Sequence, residues 1–226
     1  MRKRDLAILS NLERFRCMTR DDIIDLHFKD LKNPITCCNT VLKRLRRDGH
    51  IEVNPNQQPY IYFPSPAPIK KDSTKIPHFL RIVEFYKSLL NFEEPKTFIV
   101  EPKYGKGYME PDAFMIWKRA PFFVEIQRSV YSERVMKEKV NRYEAYYLSN
   151  EWCLEPWQPD NKKVFPSVIM LTDTRYNIES PYVRFYQVQN IEQLLNLSEP
   201  KRSAENLADQ KRQIQINNSS LKLIST

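Results

Sequence analysis

Glycine is nearly missing from this chain: Gly49, Gly105 and Gly107 are the only three among 226 residues. A dinucleotide-binding fingerprint or a phosphate-cradling P-loop needs glycines at fixed short spacings. Neither spacing can be assembled here, so nucleotide-dependent enzymes built on those loops are excluded. Cysteine is also scarce. Cys17, Cys37, Cys38 and Cys153 form no CxxC pair and no Cys/His ligand spacing, so neither a zinc site nor a disulfide framework is expected. A reducing, cytoplasmic setting fits that usage. No apolar run reaches the roughly 18 residues that a membrane-spanning helix needs. Met1-Arg2-Lys3-Arg4 is basic like the start of a secretory signal, but Asp5, Asn11 and Glu13 break the apolar stretch that should follow.

Hydrophobic residues make up 41% of the chain and charged residues 28%, the balance of a globular protein. The net charge is +8, which permits phosphate binding without requiring it. Its distribution is more informative. Residues 1–75 hold 15 Lys and Arg against 9 Asp and Glu, a net of +6. Most of the excess therefore lies in the first third, where a DNA reader would carry it. The plain alternative is a solvated basic surface.

Three helices and a hairpin are expected in that third. Over 4–15, Leu6, Leu9 and Leu12 recur as an apolar stripe. Thr19-Arg20-Asp21-Asp22 matches a capping box that opens a second helix reaching about Phe28. The polar stretch 29–34 ends in Pro34, a residue suited to start the third helix over 35–48. Val41, Leu42 and Leu45 are expected to face inward, and Gly49 sits where a helix-ending glycine belongs. Strands over 51–53 and 60–63 flank a polar turn.

Three helices followed by a hairpin is the order of a winged helix-turn-helix, expected over residues 1–66. Its partner would be double-stranded DNA. Thr36, Asn39, Thr40 and Lys43 are candidates to reach base edges, and Arg44, Arg46 and Arg47 to hold phosphates. Paired half-sites would call for a homodimer. Winged helices also serve as protein-interaction modules, which is the competing reading. His27 reads as a packed or capping histidine.

Pro, Ser and Lys accumulate over 64–77, and residues 67–77 are taken as a linker. A helix is expected from His78, with Phe79, Ile82, Val83, Tyr86 and Leu90 on one face. Strands follow at 97–100, 112–117 and 122–127, then a helix at 132–148 with Met136, Val140, Tyr143 and Tyr147 inward. Further strands at 165–171 and 183–188 and a short helix at 191–197 complete the pattern. The overall class is α+β, with residues 78–198 forming an α/β domain around a mixed central sheet. Residues 199–226 are polar and read as a tail.

One hairpin carries the candidate chemistry. If Trp117 pairs with Phe122, then Phe114 pairs with Glu125 and Asp112 with Gln127, so Asp112, Glu125 and Gln127 share a face. Two carboxylates brought together are costly unless a cation lies between them, and Mg²⁺ would suit oxygen ligands from Asp112 and Glu125. An ordinary polar hairpin face, with Glu125 paired to Arg128 or Arg142, is the alternative.

Pro111-Asp112 followed by Glu125-Ile126-Gln127 resembles the PD-(D/E)xK nuclease signature. That resemblance implies a site in which Glu84, on the preceding helix, joins Asp112, Glu125 and Gln127 as catalytic residues. The last position is usually a lysine that activates water. Here it is Gln127, as in some restriction endonucleases of the superfamily, and Lys137 or Lys139 on the next helix would supply the cation. A longer series of motifs is similar to the replication-relaxation family: the winged helix, His78-Phe79-Leu80, Pro111-Asp112-Ala113, Phe122-Phe123-Val124-Glu125, Arg128-Ser129, then Lys139, Tyr143 and Tyr146. The family usually has Glu-x-Asp where this chain has Glu-x-Gln.

The resemblance implies a DNA-binding protein of a plasmid, phage or integrative element, acting in replication, transfer or transcription control. Its nuclease-like domain would be either catalytically silent or a Mg²⁺-dependent endonuclease.

Overall fold

The computed structural model describes residues 1–198. Met1–Gln189 forms one compact unit, and a second begins at Asn190. The protein is a mixed α+β fold with six α-helices among the described residues, one small antiparallel sheet and one five-stranded mixed sheet.

The first helices are α1 (Lys3–Phe15), α2 (Arg20–His27) and α3 (Pro34–Arg47). The buried stripe of α1 is Asp5, Ile8, Leu12 and Phe15, while Leu6 is exposed. The expected stripe Leu6-Leu9-Leu12 fails for a geometric reason. Steps of three residues fall about 60° short of a full turn each time, so only a mixed 3-4-3 spacing stays on one face. Thr19 caps α2 as expected: its hydroxyl accepts the Asp22 N–H at 3.0 Å, and Asp22 Oδ2 accepts the Thr19 N–H at 3.0 Å. Pro34 stands in the first turn of α3, and Gly49 (φ +76°) follows its last turn. The Gly49 N–H donates to Arg46 O and the His50 N–H to Leu45 O, the paired bonds of a Schellman end, which needs the left-handed residue that glycine supplies.

Strands β1 (Met18–Thr19), β2 (Ile51–Asn54) and β3 (Ile61–Pro64) form the small sheet in the order β1-β3-β2. The two-residue β1 is too short to show in a periodicity. It pairs Met18 with Tyr62 and Thr19 with Ile61, and the Arg20 N–H continues the ladder to Tyr60 O at 3.0 Å. The segment after β3 is tied back to β2: Glu52 accepts the Ala67 N–H and pairs with Lys71, and Asn54 donates to Lys71 O.

The larger sheet runs β4-β5-β6-β7-β8, from β4 (Thr97–Val100), β5 (Ala113–Trp117), β6 (Ala120–Ile126), β7 (Ser167–Leu171) and β8 (Phe185–Val188). The first three strands are antiparallel, and β6, β7 and β8 are parallel. The β6-to-β7 crossover contains α5 (Glu133–Ser149), as a parallel connection requires. Helix α4 (Ile76–Leu90) lies against the face carrying Phe98, through Phe85 and Tyr86. Helix α5 lies against the opposite face, where Phe114, Phe123, Tyr143 and Tyr146 form a core cluster. Tyr143 is fully buried as expected, and Tyr146 rather than the half-buried Tyr147 is the second fully buried ring on α5.

The two sheets belong to one unit. Phe15 of α1 packs on Tyr86 at 5.2 Å and on Phe98 at 6.0 Å, and Lys87 of α4 bonds Asp22 at 2.9 Å on α2. In the second unit, α6 spans Ile191–Ser198. The tail expected over 199–226 lies outside the described residues. Among the described residues, no helix is long and apolar enough to cross a membrane.

Candidate functional site

Two groups of residues stand out, one on α3 and one at the open end of β5 and β6. On α3, Leu42, Leu45 and Cys38 are buried. Thr36, Asn39, Thr40, Lys43, Arg46 and Arg47 are all exposed. Helical periodicity sorts these two sets onto opposite faces, and α3 contains no acidic residue. The basic residues differ in what they touch. Arg44 reaches back to Asp5 of α1 at 2.7 Å, and Asp5 is 1% exposed. Burial alone would raise the Asp5 carboxyl, but the bonds from Arg44 and from the Arg2 N–H outweigh it and hold the group below its usual range. Arg44 is thus committed to the fold. Arg47 pairs with its neighbour Asp48. Among the described residues, Lys43 and Arg46 have no acidic partner within ion-pair distance. Thr40 spends its hydroxyl on Thr36 O at 2.8 Å.

A groove of about 390 Å³ separates this face of α3 from the β2–β3 hairpin. Arg20, Tyr60 and Tyr62 line it beside Asn39, Lys43 and Arg46. Arg20 was not legible in the sequence because only the β1–β3 pairing brings it to α3; Tyr60 and Tyr62 reach the groove from the hairpin, where Tyr62 pairs with Val53.

At the second place, the hairpin register differs from the expected one. Trp117 pairs with Ala120 and Phe114 with Phe123, not with Phe122 and Glu125. The connection is a two-residue turn, Lys118-Arg119, with both residues at positive φ (46° and 66°), the mirror-image turn that suits a twisted hairpin. The shift is two residues, so side chains keep their faces. Asp112 does not pair with Gln127. Its N–H donates to Val124 O at 2.9 Å, and its Oδ2 accepts the Ile126 N–H at 2.6 Å. It therefore still adjoins Glu125.

Glu125 is 3% exposed. Its Oε1 accepts the Tyr143 hydroxyl at 2.7 Å, and its Oε2 takes the ammonium of Lys139. The cation expected from Lys137 or Lys139 is Lys139; Lys137 is exposed. Neither Arg128 nor Arg142 is the partner of Glu125. Burial raises the Glu125 carboxyl, Lys139 opposes that, and Asp112 adds to it. Asp112 is pushed up to about 6, again by burial first, against the Ile126 N–H and Lys139. His78 Nε2 lies 3.3 Å from Asp112 Oδ1, and burial lowers the His78 ring below its usual value. His78 is the α4 residue that reaches this carboxylate, although the sequence pointed to Glu84. Six residues along a helix is about 9 Å. Glu84 is exposed, bonds Arg81 at 2.8 Å, and is not among the charges that shift Asp112 or Glu125.

Gln127 borders a cleft that Arg81, Glu84, Lys87 and Arg128 also line, but its amide Nε2 and Oε1 are buried and have no hydrogen-bond partner in the protein. His27 is packed as expected: burial lowers it to about 4, and Asn11 Nδ2 lies 3.2 Å from its Nε2.

No family model matches the chain, and no curated protein or solved structure matches it either.

The carboxylates do not fit a magnesium site as they stand. Mg²⁺ keeps several waters and dehydrates reluctantly. Glu125 is closed to solvent, and both its oxygens have protein partners. Asp112 Oδ2 accepts the Ile126 N–H, and its Oδ1 has only the His78 ring beside it at 3.3 Å. Among the described residues, no group of three or more His, Cys, Asp or Glu is placed to hold a metal. What the arrangement does is tie α4, the β5–β6 end and α5 together through one polar network.

Proposed function

We propose that the protein binds double-stranded DNA, with residues 1–66 acting as a winged helix-turn-helix and α3 as its recognition helix. The exposed, acid-free face of α3 carries this reading: Thr36, Asn39 and Lys43 offer short or extensible polar groups for base edges, Thr40 offers its hydroxyl oxygen as an acceptor only, and Arg46 and Arg47 extend the basic stripe. Of the three arginines first assigned to phosphates, Arg44 serves Asp5 instead. The β5–β6 region is then a PD-(D/E)xK-like fold whose acidic pair serves structure, because Lys139 and Tyr143 take both Glu125 oxygens and the Ile126 N–H takes Asp112 Oδ2. The motif order that is similar to the replication-relaxation family gives the setting: control of replication, transfer or transcription on a mobile element, by a protein that meets paired half-sites as a homodimer.

Fluorescence anisotropy with a labelled duplex tests the reading. Binding should weaken steeply with salt, at a log–log slope of about −0.9 per phosphate contact. Lys43→Ala with Arg46→Ala should weaken it without unfolding the protein. Absence of duplex binding at low salt would end the proposal.

A second reading, a Mg²⁺-dependent endonuclease, is favoured by one observation. Asp112 and Glu125 adjoin each other beside Lys139, and both carboxyls are raised. Raised carboxyls are common where chemistry is done, but the donor set described above is closed to a hydrated ion.

A further inference from the structure

The groove between α3 and the β2–β3 hairpin gathers three cations and almost nothing to neutralise them. Arg20, Lys43 and Arg46 line it, with Asn39, Tyr60 and Tyr62 supplying uncharged donors, and no acidic residue lines it. Like charges held together are unfavourable without an anion between them. Lys43 and Arg46 have no acidic partner among the described residues. Arg20 has one, Asp21 at 2.9 Å, but Asp21 lies outside the lining and its side chain is 55% exposed.

The positions are set by structure rather than by flexible reach. Asn39, Lys43 and Arg46 stand at i, i+4 and i+7 on one face of α3. The Met18–Tyr62 and Thr19–Ile61 pairs, continued by the Arg20 N–H bond to Tyr60 O, fix Arg20 beside the two tyrosines. Burial raises the Tyr62 hydroxyl above its ordinary value, with Arg20 and Arg46 opposing. The group therefore stays protonated at neutral pH, a donor like the rest of the lining. Leu42 and Val53 complete the groove with apolar surface. Guanidinium groups match phosphate oxygens in a planar, two-bond geometry that a lone ammonium lacks.

We propose that this groove is a phosphate-binding site, with Arg20 and Arg46 as its principal ligands and Lys43, Asn39 and Tyr60 around them. The proposal rests on the DNA-binding reading for its source of phosphate, a backbone phosphodiester, and on the groove alone for its chemistry. A DNA phosphate clamped there would fix the register of α3 from the hairpin side.

Arg20→Gln and Arg46→Gln test it in the full chain. Each is assayed for binding of a random-sequence duplex across a salt series, and for binding of inorganic phosphate by calorimetry at low salt. Arg46 is exposed and makes no ion pair, so its variant carries the test if Arg20→Gln fails to fold. The expected result is a salt slope shallower by about 0.9 in each variant. If the wild type binds no duplex, but binds inorganic phosphate and loses it in the variants, the groove stands with free phosphate as its ligand and the DNA reading falls. If the folded variants bind duplex with the wild-type slope, the groove proposal is overturned and the DNA reading survives. If the wild type binds neither, both fall.

Discussion

Half-buried Lys139 and buried Glu125 form an ion pair, with the ammonium on α5 and the carboxylate on the central strand β6. One turn along the helix, Tyr143 donates to the other carboxylate oxygen. The pair fastens α5 to the sheet at a point where a purely apolar face would leave Glu125 charged and alone.

Removing the cation should therefore be costly. Lys139→Met leaves Glu125 buried without its counter-charge, a loss of about 3–5 kcal/mol in comparable cases. Urea unfolding at pH 7 reads it directly. Adding Glu125→Gln to the same chain should recover much of the loss, since the stranded charge is gone. The deficit of the single variant should also shrink at low pH, where the raised Glu125 carboxyl takes up a proton.

Asp112 gives a second, opposite signature. Its carboxyl titrates at about 6 in the folded protein, above the usual 3.9 of an aspartate. Between roughly pH 4 and 6 the unfolded chain gives up this proton while the folded chain keeps it. Ionisation of Asp112 therefore takes stability away as pH rises through that window, and below about pH 4 the effect is absent. Asp112→Asn should be more stable than the parent at pH 7, by on the order of 1–3 kcal/mol, and equal to it at pH 3.5. Thermal unfolding at the two pH values checks this. A variant no more stable at pH 7 would mean that Asp112 is not strained as an anion.

The basic residues of α3 should separate into two classes. Arg44→Ala leaves Asp5 buried without its guanidinium. Arg44 is about one-third exposed, so solvent screening discounts the loss to about 1–3 kcal/mol. Asp5 has a lowered carboxyl, so its contribution is present above the usual aspartate range and lost as pH falls below it. Arg46→Ala should change stability by no more than about 0.5 kcal/mol while weakening duplex binding. Equal destabilisation by both variants in chemical denaturation would contradict this division of roles.

These residues show which features a sequence exposes and which it hides. Caps and helix ends are local, so Thr19-x-x-Asp22, Pro34 and Gly49 were readable one by one, and the order of the helices and longer strands followed from periodicity, though β1 did not. The hairpin register was misread because it depends on turn length: a two-residue turn at Lys118-Arg119 is unexpected without glycine or asparagine at positive φ. Contacts made across long sequence separations were the least legible. Nothing near Arg20 announces that β1 will place it under α3, and nothing near His78 says that it, rather than Glu84, will meet Asp112. The Arg44–Asp5 pair, 39 residues apart, turned an apparent phosphate ligand into a structural one. A lysine of the next helix beside Glu125 was legible because that helix was itself legible, but the choice of Lys139 over Lys137 was not.

Supercoiled plasmid incubated with the full chain and Mg²⁺, then run on agarose beside Glu125→Gln and the Lys43→Ala/Arg46→Ala variant, tests the central claim most directly. The expected result is plasmid that is retarded and uncut by the parent and by Glu125→Gln, and not retarded by the α3 variant. Plasmid that migrates freely with the parent protein, or that is nicked by the parent and spared by Glu125→Gln, would contradict it.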